Sequence, residues 1–564
     1  MGLNVPTARD PRLDRAFDLY EAGDLDGAIG VCEAILRLDD KQYGALYLLG
    51  SVLGQKGRLD DAAAALRRAI AVDPSRPLAH FNLATILRAM GRYAEALASL
   101  ERARAAKPDL DYLEGDIWQV RQHLCDWSEF ATASDRIREA IAAGERAASP
   151  FDALAITRSN ALNRKAAEIY VAAEFREIAR PAAFARAARG DKIRLGYFSS
   201  DLRDHATARL MAGVFERHDK TRFEVSAFSF APGAAGDEMT KRLTGAFDRF
   251  FDVRDRSDQQ IAELARSLGI DIAIDLNGFT DLHRFGIFAG RAAPIQVGYL
   301  GFPGTTAAPF IDYLIADRIV VPNSDRIHFS ERIVRLPNTY HPCDRTRGIS
   351  DETPSRASLS LPESGFVFCC FNNSYKIMPD VFDSWMRILR RTPGSVLWLL
   401  RDSEAVEQNL RREAQAREID PDRLTFAGRM PTAQHLARHR RADLFLDTLP
   451  YNAHTTASDA LWAGLPVLTR IGETFAGRVA ASALTAVGLP EMIARSQAEY
   501  EAMAVEFAAN PEKLTAVKAK LANNRLTTPL FDTERFTRDL ERAFEAICER
   551  HRLGLPPDDI DLAP

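Results

Sequence analysis

Three stretches near the start of the chain share one frame. GDLDGAIGVCEAILRLDD at 23–40, GRLDDAAAALRRAIAVDP at 57–74 and GRYAEALASLERARAAKP at 91–108 superpose at an offset of 34 residues. Gly23, Gly57 and Gly91 fall in register, as do Ala28, Ala62 and Ala96. A fixed period of this length means stacked units, each a helix pair that buries its apolar face only against its neighbours. The alanines allow close helix approach, and each glycine ends the first helix of its pair. Three units are about the minimum for a stable stack. Such a solenoid offers a concave surface to a peptide or protein; its plainer use is as a spacer or dimerisation arm, with which a homodimer is compatible.

The chain is 564 residues long, too long for one core. Apolar residues make up 46% and charged residues 27%, the balance of an ordinary soluble protein. A net charge of −5 gives no reason to expect a nucleic-acid partner. No run of 18 apolar residues exists, so no membrane span is expected. MGLNVPTARDPRLD has neither the basic and apolar blocks of a signal peptide nor a hydroxyl residue at position six for myristoylation. The six cysteines are scattered apart from the adjacent Cys369 and Cys370, without zinc spacing or a disulfide framework, which suits a reducing, cytoplasmic compartment.

From 109 to 189 the text stays helical but loses the period, and Trp118 and Trp127 read as packing anchors. The alanine-rich run PAAFARAARGDK at 181–192 marks a boundary. Strands and helices alternate after it. KIRLGYFSSD, FEVSAFSF, DIAIDLNGF, PIQVGYLGFPGTT and DYLIADRIVVP carry strands, with DHATARLMAGVFERHD and SDQQIAELARSLGI as helices between them. No GxGxxG is present. A polar segment at 344–365 reads as a hinge, and GFVFCCFNNSYKI, SVLWLLRD, DRLTFAGRM, ADLFLDTLP and LPVLTR carry a second series of strands. The expected layout is repeats at 7–110, a helical linker region at 111–190, one α/β lobe at 191–350 and another at 351–555 with the C-terminal helices. Two such lobes joined by a hinge imply a ligand cleft.

YNAHTTASDALWAG at 451–464 follows a strand and opens a helix, so His454, Thr455 and Thr456 sit at a helix N-terminus. Unpaired N–H groups and the helix dipole suit such a junction to phosphate, and the threonine hydroxyls can cap the helix as well as donate to a ligand. His205 follows the first strand of its lobe, where an imidazole can accept or orient a hydroxyl proton; a capping histidine is the plainer reading. Lys376 holds the equivalent place in the second lobe and can neutralise a diphosphate leaving group, with Asn373 able to bond a base or a phosphate. His435 and Arg438 are three apart on one helix face, which either reads a planar base or is simply solvated. GFPGT, with Gly301 and Pro303, is a tight loop that either approaches a sugar or merely turns. No HExxH or carboxylate cluster of metal grade appears, so no metal and no cofactor are expected, and positive side chains with a helix terminus take the cation's place.

The 34-residue period resembles the tetratricopeptide repeat. SSDLRDHATARLM, RAAPIQVGYLGFPGTT, CCFNNSYKI, SVLWLLR, HTTASDALWAG and GETFAGRVAAS together resemble the bacterial relatives of the O-linked N-acetylglucosamine transferases, of glycosyltransferase family 41. With the repeats, the resemblance runs through nearly the whole chain. It implies an α-solenoid followed by a two-lobed, double Rossmann-like GT-B glycosyltransferase, and an inverting, metal-independent transfer of GlcNAc from UDP-GlcNAc to Ser or Thr hydroxyls of proteins docked on the repeats. It places His205 beside the reacting hydroxyl and Lys376 on the leaving diphosphate. His454, Thr455 and Thr456 match the phosphate triplet, Asp459 the ribose aspartate, His435 and Arg438 the uracil helix, and Gly301 and Pro303 the sugar loop. Asn373 stands where the best-known members have glutamine, and Thr432 where animal members have a base-contacting lysine. Related enzymes use GDP-fucose or modify flagellin with other sugars, and a non-catalytic repeat scaffold is the reading from another class.

Overall fold

The computed structural model of the protein describes residues 11–175, 184, 192–231 and 237–563. The alanine-rich boundary at 181–192 lies almost wholly outside them. The chain divides into two compact units, Met1–Asp152 and Ala153–Pro564.

The first unit is a stack of helix pairs. Pro11–Glu21 pairs with Leu25–Leu36, Tyr43–Gln55 with Leu59–Val72, and Pro77–Ala89 with Tyr93–Ala106. Gly23, Gly57 and Gly91 each follow the first helix of a pair with φ of 81°, 74° and 71°, the left-handed conformation that a side chain would strain. Ala28, Ala62 and Ala96 are fully buried. At Gly50 a Cβ would lie 2.6 Å from the Leu66 side chain, which shows how near the paired helices run. A further pair, Leu113–His123 and Phe130–Ala143, continues this unit where the sequence period has already faded, so it extends beyond the expected limit of 110. Trp118 anchors that pair, buried and donating from Nε1 to Ser134 Oγ at 2.9 Å; Trp127 is half-buried.

Among its described residues the second unit carries two sheets. In chain order the first has β1 (Ile193–Ser199), β2 (Phe223–Ser229), β3 (Arg249–Asp252), β4 (Ile272–Asp275), β5 (Ile295–Gly298), β6 (Tyr313–Asp317) and β7 (Arg332–Leu336). The second has β8 (Val367–Cys370), β9 (Val396–Leu400), β10 (Leu424–Ala427), β11 (Leu444–Leu446), β12 (Val467–Arg470) and β13 (Ile493–Ala494). Every pairing within each is parallel. The central strands are apolar on both faces because helices cover both. The order β7-β6-β5-β4-β1-β2-β3 reverses between β1 and β4, and β10-β9-β8-β11-β12-β13 reverses between β8 and β11. This is the doubly wound arrangement, in which ligands bind past the carboxyl ends of the strands flanking the reversal.

One expectation is corrected. The last helix, Thr533–Arg552, is expected with the second lobe, but Phe536, Leu540, Ala543, Phe544 and Ile547 complete the hydrophobic core of the first. A final strand, β14 (Ile560–Asp561), then pairs with β7 as the edge of that sheet. Its amphipathic face identifies a core-facing helix but carries no sign of which lobe it covers. Among the described residues no helix is long and apolar enough to cross a membrane.

Candidate active site

The second lobe's reversal point is built by two post-strand loops. After β11, Asp447 Oδ1 accepts from the N–H groups of Thr448 (2.7 Å) and Ala453 (2.6 Å), and Oδ2 accepts from Thr469 Oγ1 at 2.6 Å. Thr448 Oγ1 donates to Tyr451 O, and Asn452 Nδ2 to Thr448 O, each at 2.7 Å. This closed loop delivers the chain to the helix Thr455–Trp462. His454 holds the N-cap position without making a side-chain cap bond. Thr455 and Thr456 are therefore the first two helical residues and not caps, and the positive helix end carries no side-chain oxygen of its cap residue. Thr456 Oγ1 donates instead to Asn372 Oδ1.

After β8 the chain turns through Asn372, Asn373 and the short 3-10 helix Ser374–Lys376. Asn372 Nδ2 donates to Thr448 Oγ1 at 2.8 Å, which ties this loop to the other. Asn373 caps the turn by accepting from Tyr375 N–H at 3.4 Å. Lys376 Nζ donates to Asn452 O at 2.9 Å and lies 4.0 Å from the centroid of the Tyr451 ring. Burial lowers the Lys376 pKa from its usual range to about 8, with Asp447 pulling the other way. The same burial raises Asp447 to about 6 against its hydrogen-bond donors and Lys376. His454 donates from Nε2 to Ala476 O at 3.1 Å, stacks on Tyr451, and is held neutral by burial and then by Lys376. The seat thus joins a helix N-terminus to a half-buried cation, and both favour an anion.

Arg438 departs from the solvated-face reading. It is 1% exposed, with its guanidinium 4.5 Å from the Phe371 ring and 5.8 Å from that of Trp398. Nη1 donates to Gly428 O at 2.6 Å, while Nε and Nη2 are buried without a partner among the described residues. His435 is half-buried against Phe371 and His439, and burial followed by His439 pushes its pKa far down. An aromatic box with uncommitted donors suits a flat, polar ring.

In the first lobe, Asn277 follows β4 and binds the loop after β1. Its Oδ1 accepts from Ser200 N–H at 2.9 Å, and its Nδ2 donates to Ser200 Oγ (2.8 Å) and Asp201 Oδ2 (3.0 Å). His205 caps the helix Ala206–Arg217: Nδ1 accepts from Thr207 N–H at 3.3 Å and lies 3.5 Å from Asp201 Oδ2. Burial is the main influence lowering its pKa, opposed by Asp201. With Nδ1 accepting in the neutral ring, the proton sits on Nε2, so that edge donates and does not accept. The capping reading is thus confirmed for His205, while Thr455 and Thr456 lose theirs.

The loop with Gly301 and Pro303 is pressed on the same region. A Cβ at Gly301 would stand 2.1 Å from Leu276 O, so no side chain fits. Glu331, buried, accepts from Thr305 Oγ1 at 2.5 Å and from Thr306 N–H at 2.6 Å and fixes the loop's far end. The lobes meet where Ser482 Oγ donates to Asp317 Oδ2 at 2.6 Å and Phe475 packs edge-on against Tyr340.

Comparison with known proteins accounts for this arrangement. The glycosyl transferase family 41 sequence model matches residues 177–351 and 346–540, well over half of the chain. The chain belongs to glycosyl transferase family 41. A tetratricopeptide repeat model matches residues 47–111. Among relatives of the family, the chain is 40% identical over 372 residues to the probable UDP-N-acetylglucosamine–peptide N-acetylglucosaminyltransferase SEC of Arabidopsis thaliana, covering 65% of this chain and 38% of that protein. It is 29% identical over 483 residues to the corresponding transferase of Caenorhabditis elegans, covering 66% and 42%. The chain therefore spans about two fifths of the length of these relatives. A solved mutant of the Thermobaculum terrenum O-GlcNAc transferase superposes with a TM-score of 0.71 at 29% identity, covering 97% of this chain and 100% of that one, and the fold is GT-B.

Within this family 41 chain, the sequence singled out Lys376, His454, Thr455, Thr456 and Asp459, and the structure brings them to one reversal point. Asp459 is half-buried on the first turns of the Thr455–Trp462 helix, its carboxylate paired with Arg347. Sequence reasoning passed over Asp447, Asn372, Asn277, Glu331 and Arg347. Asp447 closes the run DLFLD, and its place directly after an apolar strand is the usable signal.

Proposed function

We propose that this chain is an inverting, metal-independent glycosyltransferase that moves GlcNAc from UDP-GlcNAc to Ser or Thr hydroxyls of proteins. The observation that carries the reading is Lys376: a half-buried ammonium held by Asn452 O beside the N-terminus of the Thr455–Trp462 helix, at the sheet's reversal point. The donor's diphosphate rests against Thr455, Thr456 and Lys376, its ribose against Asp459, and its base near His435 and Arg438. Asn373 and the Gly301–Pro303 loop face the sugar and diphosphate. The acceptor hydroxyl, delivered by a protein held on the repeats, attacks the anomeric carbon opposite the leaving diphosphate and inverts it. Charge gathers on the diphosphate as the bond breaks, and Lys376 with the helix end stabilises it without a metal. His205 orients the acceptor as a donor through Nε2.

Purified protein should melt higher with UDP or UDP-GlcNAc than with GDP-fucose, by the equivalent of about 2.7 kcal/mol at a hundredfold excess over Kd. It should also hydrolyse UDP-GlcNAc slowly and modify a Ser/Thr peptide. A shift with GDP-fucose alone would transfer the reading to that donor. No shift with any nucleotide sugar would leave a repeat scaffold.

The lysine also sets a pH dependence. Its pKa in the free protein is about 8, and an adjoining diphosphate raises it, so binding takes up a proton above that pH. UDP affinity should be flat below pH 8 and fall about tenfold per unit above it. Calorimetric titrations from pH 6.5 to 10 check this; an equal fall in Lys376→Met would assign the titration elsewhere.

A further inference from the structure

The segment between the lobes does more than connect them. Arg347 lies on it, yet its side chain is only 6% exposed. Nη1 donates to Asp459 Oδ1, Nε donates to Asp344 O at 3.2 Å, and the Arg347 carbonyl accepts from Trp462 Nε1 at 3.1 Å. Asp459 and Trp462 are three apart on the helix that starts at the phosphate seat, so Arg347 grips that helix twice on one face. The other end of the segment is fixed to the first lobe. Thr533 Oγ1 donates to Cys343 O at 2.9 Å, and Arg345 N–H donates to Thr533 Oγ1 at 3.3 Å.

Two features remain unexplained by packing. Arg347 Nη2 is buried with no hydrogen-bond partner among the described residues. A buried guanidinium donor without an acceptor is costly, and a ligand oxygen beside Asp459 would relieve that cost. The Asp459 carboxylate, in turn, has one oxygen engaged by Arg347 and keeps the other, Oδ2, for a donor. A vicinal diol supplies both, since each hydroxyl donates to a carboxylate and accepts from a guanidinium.

We propose that Arg347 is a ribose-positioning residue of the nucleotide site, fixing Asp459 by its ion pair and meeting the ribose diol with its free Nη2. This rests on the nucleotide-sugar reading and deepens it. It also places a nucleotide contact on the chain segment that joins the lobes. Lysine cannot replace it fully, because one ammonium cannot hold Asp459 and a hydroxyl in the fixed fork of a guanidinium.

The test is a cycle between the residue and the ribose hydroxyls. UDP and 2′,3′-dideoxy-UDP are titrated into the wild-type chain, Arg347→Met and Arg347→Lys. The wild type should prefer UDP by about 10- to 100-fold, the range for hydrogen bonds to charged groups. Arg347→Met should keep only the smaller part of that preference, the part Asp459 supplies, with unchanged affinity for the dideoxy compound, and Arg347→Lys should fall between. A purely structural role would lower the melting temperature and leave the preference intact, and that result overturns the assignment. If Arg347→Met does not fold, Arg347→Lys decides alone: a preference equal to the wild type's overturns it. A wild type that binds UDP without preferring it removes the ribose role while the donor reading stands, and one that binds neither nucleotide removes both.

Discussion

Lys376→Met should cut turnover with UDP-GlcNAc and a peptide acceptor by about 10²- to 10³-fold, the scale found when one preorganised charge stabiliser is removed. The donor's diphosphate gains a further negative charge as the glycosidic bond breaks, so a fixed cation there matters most in the transition state. KM for UDP-GlcNAc should change by less than about tenfold, while UDP, which carries the full charge, should bind more weakly than the donor does. Folding supplies the control. The folded pKa of about 8 lies below the unfolded value, so holding the charged form costs stability below pH 8, and the cost fades as pH rises through 8 towards the unfolded pKa. Replacing the ammonium by an apolar chain of similar length removes that cost, although Asn452 O then loses its donor. The variant should melt no lower than the wild type at pH 7. Steady-state kinetics and a melting curve decide together, and wild-type turnover in a folded variant would remove Lys376 from the reaction.

The legible part of the fold is the part written in local patterns. Parallel strands buried on both faces, such as IAID, VFCC and LFL, stand out as apolar runs. The edge strands do not: RFFD is exposed at both ends, and β13 and β14 are two residues each. At the site, Lys376 and His454–Thr456 were visible because a strand, a short loop and a helix start follow one another in the text. Their supports were not, because partners such as Thr469 for Asp447 and Asp459 for Arg347 are 22 and 112 residues away. Arg438 shows the limit of helix-face reasoning. Spacing put it beside His435 correctly, but only tertiary packing sets Phe371 and Trp398 over it and makes a basic face a buried box.

Asp447→Ala should do the opposite of Lys376→Met: destabilise the fold strongly and lose the site as a consequence. The carboxylate is buried and accepts three hydrogen bonds, from Thr448 N–H, Ala453 N–H and Thr469 Oγ1. Removing it strands three buried donors. Each orphan costs about 1–3 kcal/mol, and because loop relaxation shares the loss, the total should be on the order of 3–5 kcal/mol. At roughly 2–4 °C per kcal/mol, the melting temperature should fall by about ten degrees. The consequence for function runs through Asn452. Its carbonyl holds Lys376 Nζ, and its own position depends on the loop that Asp447 closes. Nucleotide binding should therefore weaken even at temperatures where the variant is folded. Asp447→Asn keeps one acceptor oxygen and should lose about half as much stability. Thermal and urea unfolding with and without UDP measure both effects, and an alanine variant melting within a degree of the wild type would show that Asp447 does not hold the loop.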